Sequence, residues 1–313
     1  MMRKFTVLFI LILGVFLITA CSKGDEESNT SGSLKVVTSF TLIEDMVKEI
    51  GGDLVETHNL VPIGTDPHEY DPLPEDVKAT TDADLVIYNG FNLEGNEELG
   101  WIVKLADAVD KDMKEFYQLM EGVEPLYLEG ADNRAEEINP HTFLDPVLGI
   151  HMAEKVFEAL AENLPEEESS LKKRADKYIE QLEEVHALYE EKINDIPEED
   201  RIIVTSERAY QYMAKRYGLK EGYLFQIDTE ETGTPEQITS LIEFIKENEP
   251  PVLFVETNVD QRGMETVSNE TGVEIYAEIY SDEIGKPGDE GDTYVKFLRY
   301  NIEKIHEGLT SKQ

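Results

Sequence analysis

Two periodicities of apolar residues alternate along most of the chain. From Leu34 onward, short β-rich runs are followed by segments whose apolar residues recur at helical spacing, as in 42–50, where Gly51-Gly52 ends the helix. A second series of the same kind begins at Arg201. Strands that alternate with helices are typical of parallel sheets covered by helices. The pattern therefore predicts an α/β protein built from two (β/α) lobes with parallel-type sheets.

The predicted elements occur in both halves of the chain. Strands are predicted at 34–37, 54–61, 84–88, 201–205, 252–256 and 273–279. Helices are predicted at 42–50, 74–81, 99–109, 142–164, 207–217, 235–247, 260–271 and 292–309. Ligands of parallel sheets bind beyond the carboxyl ends of the strands, so the expected site is the cleft between the lobes.

The segment 166–196 differs from the rest of the pattern. It is long and charged, contains no glycine or proline, and carries one apolar stripe at near-heptad spacing. The stripe consists of Leu171, Tyr178, Leu182, Val185 and Tyr189. A βα unit has little use for so long a helix, so we interpret it as a rigid backbone helix that joins the lobes. The predicted boundaries are 34–165 for the N-terminal lobe, 166–197 for the linking helix and 198–313 for the C-terminal lobe.

The first residues predict export. Arg3 and Lys4 precede an apolar stretch over 5–20, which is shorter than the roughly 20 residues that a membrane-spanning helix needs. We therefore interpret 1–20 as a signal peptide. It leads into Cys21 through Ile18-Thr19-Ala20, and small residues before a cysteine are typical of a lipoprotein cleavage site. Cys21 would then carry the lipid.

Cys21 is the single cysteine of the chain, which excludes an intramolecular disulfide. The alternative is a core cysteine near an ordinary secretory cleavage site. The residues that follow, as far as Ser33, are polar and rich in glycine and serine, so 21–33 is predicted to be a lipidated flexible tether. Together these features predict an extracytoplasmic protein anchored to the outer face of the cell membrane.

The chain is strongly acidic, with 67 acidic against 28 basic residues and a formal net charge of −39. Nucleic acid and anionic lipid are therefore poor partners for its general surface. We attribute the bulk charge to the solubility of an exported surface, because a dense acidic surface holds cations only loosely and without selectivity.

Two of the six histidines stand in unusual contexts. His68 and His141 each follow a proline in a polar loop, within Asp66-Pro67-His68 and Asn139-Pro140-His141. Proline fixes φ and removes a backbone donor, so it stiffens the loop and directs the next side chain. A rigid imidazole in such a loop is typical of a metal ligand. The remaining histidines are interpreted as surface or packing residues, namely His58, His151, His186 and His306.

The second half supplies two candidate carboxylates. Glu207 follows the strand predicted at 201–205, and Asp282 lies in the loop after the strand at 273–279. Acids are also common at helix starts, where the helix dipole favours them, and in turns. The residues alone therefore leave open whether Glu207 and Asp282 bind an ion.

Several stretches of the chain match a known family, including VPIGTDPHEYDPLPEDVKATTDADLVIYNGFNLEG, NPHTFLDP, IIVTSERAYQYMAKRYGL, LFVETNVDQRGMETVS and IYSDEIGKPGDEGDTYVKFLRYNIEKI. Through them the chain resembles the metal-receptor lipoproteins of bacterial manganese/zinc ABC importers, a group that includes the streptococcal adhesin-like lipoproteins. The resemblance implies two (β/α) lobes joined by one long helix, an importer permease as partner, and four metal ligands. Carried over, the ligands are His68, His141, Glu207 and Asp282. We expect the protein to be a monomer.

Two positions depart from the family pattern. Arg208 stands where such members often carry glycine, and Phe143 where they often carry tryptophan. One helical step turns a side chain by about 100°, so we expect Arg208 to point away from the metal.

The predicted ligand set indicates which cation to expect. Carboxylates suit harder ions such as Mn²⁺, whereas an imidazole-rich site favours Zn²⁺. Zinc-specialised relatives tend to carry a third histidine and a His-rich loop, and this chain has Glu207 and no such tract. We therefore predict Mn²⁺, with Zn²⁺ and Fe²⁺ as alternatives.

Three other functions remain open at this stage. A metal-dependent hydrolase is disfavoured because His68-Glu69 lacks the second histidine of an HExxH helix, so we expect no enzyme. A surface adhesin with a structural metal fits the predicted anchor. A receptor for an organic solute fits the predicted fold, although the paired Pro-His loops argue against it.

Overall fold

The computed structural model describes residues 32–96, 99–128, 138–227 and 233–311. The predicted signal peptide, Cys21 and nearly all of the tether lie outside the described residues. The strands are β1 Leu34–Phe40, β2 Val55–Val61, β3 Leu85–Tyr88, β4 Phe116–Gln118, β5 Ile202–Glu207, β6 Lys220–Phe225, β7 Leu253–Glu256 and β8 Ile275–Ile279. The helices are α1 Thr41–Gly51, α2 Pro74–Asp82, α3 Trp101–Ala108, α4 Pro146–Asn163, α5 Glu168–Asp195, α6 Gln211–Tyr217, α7 Pro235–Asn248, α8 Arg262–Thr271 and α9 Tyr294–Thr310.

The N-terminal lobe contains a parallel sheet in the order β2-β1-β3-β4. Six of the seven residues of β1 are buried, because helices cover the sheet and leave no face of this strand to solvent. The carboxyl ends of the strands share one edge of the sheet, and the loops that leave this edge lead toward the other lobe.

The C-terminal lobe pairs β5 with β6 and β7 with β8, again in parallel. β5 lies beside β7, and the Glu256 carboxylate on β7 accepts hydrogen bonds from the backbone N–H groups of Ser206 and Glu207 on β5. Helices α7 and α8 bury one side of these strands in an apolar cluster that includes Val204, Val255 and Met264.

The predicted linking helix is confirmed as α5, which has 28 residues. Its buried stripe contains all five predicted positions together with Ala175 and Ile193. The helix packs against α1 and α4 of the first lobe and against α6 and α9 of the second. One continuous apolar core therefore runs from the N-terminal sheet across α5 to α9.

The lobes also contact each other directly, next to α5. The backbone N–H of Tyr294, at the start of α9, donates to Asp45 on α1 over 3.0 Å, and the Tyr294 hydroxyl donates to the Phe143 carbonyl over 2.6 Å. Arg216 on α6 forms an ion pair with Asp145, the N-cap of α4. These contacts couple the two lobes beside the linking helix.

The prediction of parallel α/β lobes is confirmed, but several element boundaries were wrong. Glu207 ends β5 and does not begin a helix, because a 3-10 turn over Arg208–Tyr210 precedes α6. The predicted helix at 142–164 begins at Pro146, after a 3-10 turn over Thr142–Leu144. Strands β4 and β6 were not predicted. Among the described helices, none is both long enough and apolar enough to cross a bilayer.

Candidate metal centre

Each candidate ligand lies beyond the carboxyl end of a strand or in a loop that faces the cleft. His68 lies in the loop between β2 and α2, and His141 immediately precedes the 3-10 turn that leads to α4. Glu207 is the last residue of β5, and Asp282 lies in the loop between β8 and α9. The N-terminal lobe thus contributes both imidazoles, and the C-terminal lobe contributes both carboxylates.

The structure brings the four side chains together. Each offers one ligand atom, and these four atoms all lie within 4.8 Å of one another. His141 Nε2 is 3.2 Å from Asp282 Oδ1 and 3.5 Å from Glu207 Oε1, and His68 Nε2 is 3.8 Å from the same Glu207 oxygen. No other group of this kind occurs among the residues that the structure describes. The assignment of the four residues as ligands stays a prediction, and the geometry fits it.

The cluster is almost completely removed from solvent. The side chains of His141 and Glu207 are 0% exposed and that of His68 is 8% exposed, while the whole of Asp282 is 2% exposed. Burial works against ionisation of Asp282, but the positive charge that His141 and His68 carry when they are protonated outweighs it and lowers the pKa of Asp282 to about 2. Two acidic groups buried side by side favour a cation between them.

The imidazoles are held by contacts outside the cluster. The His68 backbone N–H donates to Asp66 Oδ1 over 2.7 Å, and Trp101 Nε1 donates to the Pro67 carbonyl over 2.8 Å. The ring of His141 packs edge-on against Phe143, with centroids 5.7 Å apart. Phe143 therefore fills an aromatic position behind the ligand.

Asn139 supplies a polar contact to His141. Its side-chain oxygen lies 3.0 Å from the His141 backbone nitrogen and 2.8 Å from His141 Nδ1. Its amide nitrogen donates to the Arg208 carbonyl of the other lobe over 2.8 Å. Asn139 is itself fully buried.

The two carboxylates are fixed from the C-terminal lobe. Asn258 Nδ2 lies 3.2 Å from Asp282 Oδ2, and Ser281 Oγ donates to Asn258 Oδ1 over 2.9 Å, which leaves Asp282 Oδ1 facing His141. Glu256 holds the end of β5 through the backbone N–H groups described above. Burial raises the pKa of Glu256 to about 7.

Arg208 points away from the cluster, as predicted. Its guanidinium donates to Glu221 Oε1 on β6 from Nε, over 2.9 Å, and from Nη2, over 2.5 Å. It also lies 4.9 Å from the centre of the Tyr223 ring. Arg208 therefore does not compete with a cation for Glu207.

The remaining histidines have partners elsewhere. His58 contacts Asp76, His186 contacts Tyr217, His306 contacts Asp195, and His151 contacts the Leu119 carbonyl. These contacts agree with their interpretation as surface and packing residues.

Sequence reasoning missed the supporting residues Asn139, Asn258 and Glu256. Asn139 and Glu256 left a signal in the sequence, since Asn139 directly precedes Pro140-His141 and Glu256 is a charged residue at the end of the apolar run Leu253-Phe254-Val255. The partners of Glu256 and the Arg208 partner of Asn139 lie far away in the chain, so neither pattern specified a contact between strands or lobes.

The fold and the cleft together define a class of protein. Two parallel α/β lobes, a rigid helix between them and a buried site with ligands from both lobes are features of a solute-binding protein for a small cation. The donor set is that of a metal site, with two nitrogen ligands and two carboxylates.

The chain belongs to the family described as zinc-uptake complex component A, periplasmic, whose model matches residues 36–308. It is 42% identical over 311 residues to the manganese ABC transporter substrate-binding lipoprotein PsaA of Streptococcus mitis, covering 98% of this chain and 99% of that protein. It is 43% identical over 311 residues to the metal ABC transporter substrate-binding lipoprotein SsaB of Streptococcus sanguinis, with the same coverage. The resemblance to metal-receptor lipoproteins is thereby confirmed.

A solved structure supports the same fold. The periplasmic zinc-binding protein TroA from Treponema pallidum matches with a TM-score of 0.79 and 28% identity, covering 89% of this chain and 99% of that chain.

Proposed function

We propose that this protein is the extracytoplasmic receptor of an ABC importer, which captures Mn²⁺ in its cleft and delivers the ion to the membrane permease. The observation that carries the proposal is the buried cluster of His68, His141, Glu207 and Asp282, with two ligands from each lobe. A bound ion would bridge the lobes and stabilise their closed arrangement. The names of the streptococcal relatives, which are substrate-binding lipoproteins of metal transporters, support this role.

Manganese is favoured over zinc by the carboxylates. Two ionised carboxylates neutralise a divalent cation, and a bidentate carboxylate raises the coordination number beyond the four that Zn²⁺ prefers. The manganese-named relative supports this choice, while the family description names zinc. Zinc is the second candidate for two reasons. The family description names it, and it binds most N/O sites more tightly than manganese does.

A lipid on Cys21 would hold this receptor at the outer face of the cell membrane, next to the permease. The relatives are named lipoproteins, and the residues before Cys21 fit a lipoprotein cleavage site. Two or more acyl chains give stable anchoring, because one chain binds a membrane only marginally.

The cluster supports a receptor better than it supports an enzyme. Catalytic metal sites keep a coordination position open for water, and four protein ligands in a closed cleft leave little room for it. An adhesin with a structural metal predicts a different phenotype, in which loss of the gene abolishes attachment and leaves metal uptake normal.

Metal content is the first experiment. Protein purified without chelator is subjected to elemental analysis, and metal-free protein is then titrated with Mn²⁺ and Zn²⁺ in competition. We expect stoichiometric binding of one ion per chain. A preparation that binds neither ion at micromolar concentration would contradict the receptor role. A preparation that binds Zn²⁺ alone would identify zinc, and not manganese, as the ion that the receptor captures.

The ligand assignment is tested by His68→Ala, with His306→Ala as the matched control. At a metal concentration of about 100 times Kd, the wild type gains about 2.7 kcal/mol of unfolding free energy. His68→Ala should lose most of this gain, because one of the two nitrogen ligands is gone. His306 contacts Asp195 far from the cleft, so its variant should keep the gain. A metal-induced thermal shift that is unchanged in His68→Ala would exclude His68 as a ligand.

A further inference from the structure

Asn139 contacts His141, a predicted ligand of the N-terminal lobe. It also contacts the backbone next to Glu207, a predicted ligand of the C-terminal lobe. Its side chain lies between His141 and Arg208, the residue that follows Glu207. The two orientations of a side-chain amide have the same shape, and here the hydrogen-bond partners distinguish them. The His141 backbone N–H can only donate and the Arg208 carbonyl can only accept. The side-chain oxygen of Asn139 must therefore face His141.

This orientation determines where His141 carries its proton. His141 Nδ1 lies 2.8 Å from the same Asn139 oxygen, which has no proton to donate. The hydrogen bond therefore requires a proton on Nδ1, and in a neutral imidazole the lone pair is then on Nε2. Nε2 is buried and is the atom that faces Asp282 and Glu207. It is also the atom that a metal in the cluster would contact.

The same amide links the two lobes. Asn139 Nδ2 donates to the Arg208 carbonyl over 2.8 Å, and Arg208 is the residue that follows Glu207 in the chain. The Asn139 backbone carbonyl in turn accepts from the Tyr212 hydroxyl over 2.9 Å. The position of His141 relative to Glu207 is thus set through the two ends of the Asn139 side chain, while Tyr212 contacts only the Asn139 backbone.

We propose that Asn139 is a positioning residue for metal capture, which keeps the Nε2 lone pair of His141 directed into the cleft and sets its distance from Glu207. The inference rests on the proposed function, because it assumes that His141 and Glu207 bind the same ion. Residues that orient a metal-bound histidine typically change affinity 10–100-fold when they are replaced.

The test measures two quantities, the tautomer of His141 and the affinity for Mn²⁺. A purely structural role of Asn139 would not change both of them. In metal-free protein labelled with ¹⁵N-histidine, the imidazole shifts at pH 8 report which ring nitrogen of His141 carries the proton, with His141→Gln used for assignment. In the wild type we expect the proton on Nδ1. Asn139→Ala should give a mixture of both tautomers and weaken Mn²⁺ binding about 10–100-fold.

Tyr212→Phe is the matched control, because it removes a buried hydrogen bond from Asn139 and leaves the side-chain amide intact. We expect it to keep the Nδ1 tautomer and to bind Mn²⁺ within about twofold of the wild type, even where its stability falls because the hydroxyl also accepts from the Leu126 N–H. A Tyr212→Phe variant that loses as much affinity as Asn139→Ala would assign the effect to general packing and overturn the proposal.

The wild-type spectrum tests the inference even if Asn139→Ala does not fold. A wild-type His141 protonated at Nε2 would overturn it, as would an Asn139→Ala variant with unchanged tautomer and affinity. These outcomes differ from failure of the proposed function, in which the wild type itself does not bind Mn²⁺.

Discussion

Glu207 lies between the two imidazoles, with Oε1 3.5 Å from His141 Nε2 and 3.8 Å from His68 Nε2. It is the residue at which a carboxylate replaces a possible third imidazole. Its backbone is fixed by Glu256, and the neighbouring Arg208 is engaged by Glu221, so Arg208 does not compete with a cation for the Glu207 carboxylate. We therefore expect the chemistry of this side chain to determine much of the metal preference.

Replacing Glu207 by histidine should change the preference toward zinc. A third nitrogen ligand favours Zn²⁺, and loss of one carboxylate removes the bidentate oxygen ligand that suits Mn²⁺. We expect Glu207→His to raise the ratio of Zn²⁺ to Mn²⁺ affinity by about tenfold or more, measured by competition titration. Glu265→His, on the exposed surface of α8, is the control. An unaltered ratio in Glu207→His would mean that Glu207 does not contact the ion.

At this scale the sequence indicated only part of the site. The Pro-His pairs marked His68 and His141 through local stiffness alone, whereas Glu207 and Asp282 were identified through the family resemblance. Acids at strand ends are common, and only the parallel topology brings these two to the histidines. Asn139 could not be recognised as a positioning residue, because its hydrogen bond to Arg208 crosses between lobes.

Elements with a strong local pattern were the ones that could be predicted. Helix α5 carries its apolar stripe from Leu171 to Ile193, about six turns, so both its existence and its buried face followed from the sequence. Strand β6 reads Lys-Glu-Gly-Tyr-Leu-Phe, and its glycine and short length hide any alternation. Gly222 is nevertheless required there, because a Cβ atom at this position would lie 2.4 Å from the Phe244 ring.

The buried stripe of α5 predicts a large effect of a single core substitution. Leu182 is 0% exposed in the centre of the helix. Leu182→Ala should lower the unfolding free energy by about 2–5 kcal/mol, because it leaves a cavity where both lobes meet. The exposed neighbour Glu183 is the control, and its alanine variant should stay within about 0.5 kcal/mol of the wild type. Urea titration measures both, and a loss below about 1 kcal/mol in Leu182→Ala would contradict the continuous core.

Asp45 on α1 contacts the start of α9, and its ionisation makes the stability of the protein depend on pH. Burial raises the pKa of Asp45 to about 6, with Glu49 adding to the rise, while hydrogen bonds from Tyr294 and Tyr178 and the charge of Lys48 oppose it. The folded protein thus binds this proton more tightly than the unfolded chain does. Ionisation of Asp45 therefore lowers stability as the pH rises from about 4 to 6, and the cost is fully present above that range.

Asp45→Asn should remove this cost and keep an acceptor for the Tyr294 N–H. We expect the variant to exceed the wild type in unfolding free energy by about 1–2 kcal/mol at pH 7.5, a discounted value since the side chain is only partly buried. The difference should shrink toward zero at pH 4.5, as measured by urea titration at both pH values. Asp53→Asn, which changes an exposed carboxylate, should show no such dependence. A difference that stays constant with pH would contradict the role of Asp45 ionisation.

On the scale of the whole molecule, the continuous core and the contacts of Tyr294 and Arg216 couple the lobes stiffly. We therefore expect an ion bound in the cleft to be released by small displacements there, without separation of the lobes. Fluorescence of Trp101, the single tryptophan, reports on the N-terminal lobe, and circular dichroism reports on both lobes. Coincident unfolding curves from the two signals agree with one cooperative unit.

The predicted lipid anchor on Cys21 determines where the whole chain is located in the cell. Cys21→Ser should move the protein from the membrane fraction to the medium, because serine cannot form the thioether to the lipid. Fractionation with immunodetection measures this, and Ser22→Ala, one residue away, should leave the protein on the membrane. Retention of Cys21→Ser on the membrane would show that another segment holds the protein there.

The four predicted ligands also stand far apart in the chain, with His68 near the start of the folded part and Asp282 near its end. A polypeptide that leaves the cell through an export channel as an extended strand cannot bring these groups together. In the exported receptor that we propose, the cluster would form only after Asp282 has left the channel and the C-terminal lobe has folded on the far side of the membrane. An ion held by the cluster would then be taken from the surroundings and not carried out of the cytoplasm, so the order of folding would give the proposed metal transport its direction.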